Sequence, residues 1–152
     1  MMMMIMMMMM MMMMMLMMIA GQTKLSPGSH GRTVKGLAGS AVNFTWIFSG
    51  GSSGVRAFSW GVSNDGRIDF TDNGILASLD EFGNPVNVPN FPADYKGRVA
   101  GKIIGNKFSG QVIFTLSSIK KTDEKSYACE LIPVKIFDGL KFDVVDLEIQ
   151  GG

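Results

Sequence analysis

Cys129 and His30 are the only cysteine and the only histidine in this 152-residue chain. Together they would be the one soft nucleophile and the one base able to take its proton near neutral pH. A catalytic pair needs the imidazole within hydrogen-bond reach of the thiol. His30 lies instead in "GQTKLSPGSHG", residues 21–31, whose Gly, Ser and Pro content reads as a flexible lead-in. A Ser/His/Asp set fails for the same reason, and no His/Cys spacing suits a metal. "GGSSG" at 50–54 is not followed by Gly-Lys-Ser/Thr and opens no helix, so it is not a phosphate cradle. The residues point to no enzyme chemistry, no cofactor and no metal. Cys129 reads as an inert buried thiol; a reactive thiol and an intermolecular bridge are the alternatives. A single cysteine cannot form an internal disulfide, an unusual count for an extracellular chain.

Other polar residues call for positioning rather than reaction. Asn43-Phe44-Thr45 is a glycosylation sequon; a plain polar strand residue is the competing reading of Asn43. Arg98 and Asp123 suit a structural ion pair, and Lys120-Lys121 a solvated turn. Formal net charge is +1, which exerts no strong pull on nucleic acid or an anionic surface.

The elements that must hold these residues begin after a leader. All 16 methionines fall within residues 1–18, and no charge precedes Lys24. Residues 1–20 are low complexity and apolar over roughly the length of a secretory or membrane-spanning segment. They read as a signal peptide, an uncleaved anchor or a gene-model artefact. The absent basic residues at the start speak against the first, and Ile19-Ala20-Gly21 offers small residues for cleavage. The chain is then expected to be secreted, or the outer part of a longer membrane protein.

From Thr33 the pattern has period two. Val42, Phe44 and Trp46 share one face while Asn43 and Thr45 take the other. Phe58, Trp60 and Val62 do the same, as do Val112, Phe114 and Leu116. "NDG" at 64–66 suits a hairpin turn. Residues 81–94 carry three prolines and read as loop. Pro133 argues for a bulge or an edge in the strand that contains it. Eight or nine short strands in one domain, residues 32–150, predict an all-β, two-sheet antiparallel sandwich.

Asp123, Tyr127 and Cys129 stand in the spacing D-x-x-x-Y-x-C, which resembles the tyrosine corner of variable-type immunoglobulin domains. "YKGRV" at 95–99 is similar to the start of strand D, Trp60 to the strand C tryptophan, "FTLSSI" to strand E and "VVDLEI" to strand G. The resemblance implies a Greek-key sandwich with an Arg98–Asp123 pair. It also implies a cysteine on strand B, where this chain has Trp46. A bridge from 46 to 129 would contribute roughly 4–5 kcal/mol in the chain-entropy model. A buried Trp removes ~200 Å² from water, worth about 5 kcal/mol, so the exchange is tolerable. Trp46, Trp60, Phe44, Leu116, Tyr127 and Cys129 are expected in one packed core. The F-x-W run in place of the cysteine is more loosely similar to adhesion and allorecognition receptors of simple animals, cnidarians especially.

The resemblance implies an extracellular recognition or adhesion module binding another protein, with a second copy of itself as one candidate. The alternative is a secreted effector or decoy for a microbial or glycan ligand. Partner contacts in such domains commonly use the outer face of strands C, F and G. Here that face would present Ala57, Ser59, Gly61, Ala128, Glu130 and Ile132, an unusually small set that suits packing against another sheet. Loops 50–54 and 135–141 are the other candidates.

Overall fold

The structure is a computed structural model that describes residues 1–20, 22–68 and 74–151. Met2–Ala20 form a helix, α1, consistent with the good helix propensity of Met. Its Met2–Met13 portion is exposed throughout. Among the described residues no helix is long and apolar enough to cross a membrane.

Among the described residues ten strands follow: β1 (Thr23–Pro27), β2 (Thr33–Leu37), β3 (Val42–Gly50), β4 (Val55–Asn64), β5 (Arg67–Ile68), β6 (Ile75–Asp80), β7 (Val99–Gly105), β8 (Ser109–Leu116), β9 (Ser126–Pro133) and β10 (Lys141–Gln150). One sheet has the order β1-β3-β8-β7. The other has the order β2-β10-β9-β4-β5, with β6 also pairing β4. β2 runs parallel to β10, Val34 facing Leu147; the remaining pairings are antiparallel. This is an all-β sandwich with variable-type strand order.

Period two in the sequence becomes burial with period two. In β3, Val42, Phe44, Trp46 and Phe48 are buried, while Asn43 and Ile47 are exposed. Asp65 and Gly66 have φ of 56° and 83°, so the 64–67 turn is built from residues that tolerate the left-handed region. Pro133 closes β9 opposite Val55, and the register shifts between Val55 and Ala57, so the strand does carry its irregularity there.

The lead-in assigned to residues 21–31 is not a loop throughout. β1 pairs with β3 from Thr23↔Gly50 to Pro27↔Trp46. The Thr23 side chain is buried and Leu25 packs against the core. Pro27 is tolerated because β1 is an edge strand and its last residue needs no N–H for a ladder. His30 is held too: its Nε2 accepts from the Thr45 N–H at 2.9 Å.

The two sheets enclose one aromatic core. Trp60 lies parallel to Phe114 (5.5 Å between ring centroids, 7°) and to Tyr127 (5.2 Å, 13°). Phe44 tilts against both Trp60 and Tyr127. Trp46 stacks on Phe44 and meets the edge of Phe114. Trp46, Trp60, Phe44, Leu116, Tyr127 and Cys129 belong to this one cluster.

The two indoles differ in their polar end. Trp46 Nε1 donates to Asp143 Oδ2 at 2.7 Å in a buried site, and Arg32 pairs with the other carboxylate oxygen. Trp60 Nε1 is buried and has no hydrogen-bond partner among the described residues. Trp46→Phe and Trp60→Phe remove similar apolar area, but the first also strips a buried carboxylate of its donor. Trp46→Phe is therefore expected to lose about 1.5–3 kcal/mol more than Trp60→Phe in urea unfolding. Equal losses would show that the Asp143 bond adds nothing.

Candidate functional site

At one end of the sandwich a short 3₁₀ turn, 121–123, leads into β9. Tyr127 Oη donates to the Asp123 carbonyl at 2.6 Å, which is the tyrosine corner. Burial pushes the Tyr127 hydroxyl far above its ordinary value, and its contact with Tyr95 adds to the effect. The fully buried Asp123 side chain pairs with Arg98 and accepts from the Lys120 N–H at 3.0 Å. Arg98 also donates to the carbonyls of Asp94, Ser117 and Ser118. Every donor is occupied by local backbone or by Asp123, so the pair fastens the corner and offers nothing to a ligand.

Cys129 faces the core between Tyr127 and Leu131, and all three are fully buried. Burial raises its pKa well above the ordinary thiol value, and the charges of Asp143 and Glu130 push the same way. The thiolate needed for nucleophilic or redox chemistry is thereby suppressed. Among the described residues no group of three or more His, Cys, Asp or Glu could hold a metal ion.

The outer face of β4 and β9 differs from the open surface expected. Ala128 is fully buried, Glu130 is 9% exposed and Gly61 is buried; Ser59, Ala57 and Ile132 are half-buried. The cover comes from the chain itself. β5 folds back beside β4, with Ile68 buried yet outside the core cluster. Arg67 stands 4.6 Å above the Phe142 ring, and Phe142 is the cross-strand partner of Glu130. A Cβ on Gly61 would meet the Gly74 carbonyl oxygen at 1.9 Å. Gly61 is glycine because backbone lies against it. A second protein would have to displace that cover to reach Gly61, Ala128 or Glu130, whereas Ala57, Ser59 and Ile132 keep partial exposure.

The other end carries the loops. Loop 51–54, the turn 106–108 and loop 134–140 are joined edge to edge, and the turn 81–84 lines a cleft with 106–108. Val134 N–H donates to the Gly54 carbonyl, and the N–H groups of Val55 and Gly50 to the carbonyls of Lys107 and Phe108. Of the ten exposed large hydrophobics described outside α1, seven lie at this end: Phe82, Ile104, Phe108, Val134, Ile136, Phe137 and Leu140. Such clustering is uncommon on a surface that has no partner.

Loop 134–140 is the most prominent. Ile136 and Phe137 are 78% and 79% exposed, whereas Asp138 beside them is buried. The Asp138 carboxylate accepts from Ser53 Oγ at 2.6 Å and from Ser52 Oγ at 3.4 Å. Thr23 Oγ1 donates to the Asp138 carbonyl at 3.2 Å. A polar anchor beneath therefore holds an apolar tip above. Sequence reading named both loops but not the serine–aspartate link. These residues are more than 80 positions apart, and no local pattern connects them.

Asn43 is exposed on β3, and its Oδ1 accepts from Thr115 Oγ1 at 2.7 Å.

No family model and no curated protein matches the chain. Solved structures do. A chain from the structure of murine CRIg superposes with a TM-score of 0.59 at 19% identity, covering 86% of this chain and 100% of that one. A chain from a structure described as the basis of T cell specificity and activation by the bacterial superantigen toxic shock syndrome toxin-1 gives 0.59 at 13% identity, covering 84% and 99%. At these identities the likeness establishes the fold: an immunoglobulin-like, variable-type sandwich, here without the inter-sheet disulfide.

The sealed face has a measurable consequence at Glu130. Burial raises its pKa, and Arg67 offsets this only in part. The native carboxyl holds its proton more tightly than the unfolded one. Its contribution to stability is thus full below the unfolded value of about 4.3 and is lost as pH rises through the raised native value. Glu130→Gln stays neutral throughout. It is expected to be more stable than the parent at pH 7 and indistinguishable from it near pH 3.5, read by thermal unfolding at both values. A variant less stable at pH 7 would mean that the Arg67 contact outweighs burial.

Proposed function

We propose that this sandwich is an extracellular recognition module that binds another protein through its loop end, with a second copy of the chain on an opposing surface as the first partner to test. The observation that carries the reading is the Ile136-Phe137 tip, fully presented to solvent on a turn that buried Asp138 fixes from below. An apolar pair on a pre-ordered loop loses little conformational freedom on binding, and desolvated aromatic anchors dominate interface energetics. The self-covered outer face of β4 and β9 leaves the loops as the larger apolar surface. The variable-type fold fits such a role without dictating it. The leader and the sequon favour an extracellular site, whether secreted or at the cell surface. The alternative reading, a secreted effector for a microbial or glycan ligand, is favoured by the cleft described in the next subsection.

If the chain passes through a secretory pathway, Asn43 is expected to carry a glycan, since it is exposed and its amide nitrogen has no partner among the described residues. Treatment with an N-glycosidase should then lower the apparent mass of the secreted protein, and Asn43→Gln should abolish that shift. An unchanged mass would count against occupancy.

Beads coated with the full chain are expected to aggregate. Ile136→Asp and Phe137→Asp should each reduce aggregation at least tenfold with the melting temperature held, because neither side chain belongs to the core. Dispersed parent beads at high coating density would sink the homophilic form of the reading. Aggregation untouched by both variants would sink the assignment to this tip.

A further inference from the structure

We infer that the cleft between Phe82 and Phe108, on the flank of the loop end, is a saccharide-binding site. It has a volume of about 440 Å³ and is lined by Glu81, Phe82, Ile103, Asn106, Lys107 and Phe108, with Gly105. That size lies within the range of small-molecule sites. Phe82 is 76% exposed and Phe108 48% exposed, so both walls put aromatic surface in water, with the Lys107 ammonium over one face of the Phe108 ring. The apolar C–H face of a pyranose ring packs on such a surface.

The polar groups decide the class of ligand. Asn106 Oδ1 accepts from the N–H groups of Phe108 at 2.8 Å and Ser109 at 3.2 Å. Those two bonds fix the amide's orientation, and its NH₂ group has no partner among the described residues at the cleft it lines. The Lys107 stem packs under Gly54. Its ammonium stands 5.3 Å from the Phe108 centroid and lies in none of the described ion pairs. Glu81 adds a carboxylate acceptor with no described partner. An apolar peptide side chain entering here would strip water from these groups and return nothing, at a cost for each. A sugar presents hydroxyls that donate and accept alternately around a ring with an apolar face, which matches two aromatic walls, two donors and one acceptor. One cation and one anion at the rim leave the site neutral overall, so neutral hexose-containing glycans are the fitting class.

The inference gives the alternative reading's glycan ligand a specific cleft; with the Ile136-Phe137 reading it shares only the placing of the working surface at the loop end. Dispersed beads would leave it standing, and a failure to bind sugar would leave the Ile136-Phe137 tip standing. The test is an array of neutral and acidic oligosaccharides probed with the full chain. Titration calorimetry with the methyl glycoside of the best-bound sugar follows. Phe82→Ala removes one wall without touching the core. Asn106→Asp keeps the acceptor that holds the turn but deletes the donor. Each is expected to weaken the sugar at least tenfold with an unchanged melting temperature, and Ile136→Asp should leave it unaltered. An array with no bound saccharide at millimolar equivalent would overturn the inference. So would a bound sugar indifferent to both variants, or stronger binding of N-acetylphenylalanine amide than of any glycan.

Discussion

Two sheets must be held face to face without a covalent bridge between them, and the rest of the molecule depends on how that is met. Trp46 occupies the strand position where the resembling domains have a cysteine, and it does more than fill space. Its ring joins Phe44 and Phe114, and its N–H reaches Asp143 on the opposite sheet. A directional bond to a carboxylate thus crosses the core near where a disulfide would have crossed it. Arg32 neutralises the same carboxylate at the surface, so the buried charge is partnered on both oxygens, the condition under which such a group is tolerated. A sandwich fastened this way does not need an oxidising compartment. Cys129, left without a partner half, becomes one more buried apolar side chain.

The parts of the fold that were legible in sequence are those set by local pattern. Alternation placed β3, β4 and β8, because a half-buried strand imposes period two on whatever sequence occupies it. Asp123, Tyr127 and Arg98 come together through a corner whose defining bond spans four residues, short enough to leave a spacing. β1 was missed because "TKLSP" is short and embedded among Gly, Ser and Pro, and what makes it a strand is the edge of β3 waiting beside it. Asp143 had a trace: it has the same inward parity as Val145, Leu147 and Ile149. A charged residue at such a position asks for a buried donor.

The outer face of β4 and β9 shows the opposite failure. Gly61 and Ala128 lie mid-strand, and their small size suggested a flat surface open to a partner. Small residues in a strand interior also mark places where other backbone comes close, and that is the reason here: Gly74 sits on Gly61. Parity indicates which way a side chain points. It does not indicate what the chain later lays across that side, because the covering strand is placed by tertiary contacts.

On the proposed reading, that cover and the loop anchor together decide where recognition takes place. Phe142 and Arg67 stand over the small-residue face, and the largest apolar side chains left in water are at the loop end. There the supporting bonds lie beneath the surface: Ser52, Ser53 and Thr23 all reach Asp138 or its carbonyl. Ile136 and Phe137 take no part in them. The scaffold and the contact residues are therefore separable at the level of single side chains. On the proposed reading, such a loop end can change its outward residues, and so its partner, while the aromatic core and the Trp46–Asp143 bond remain as they are.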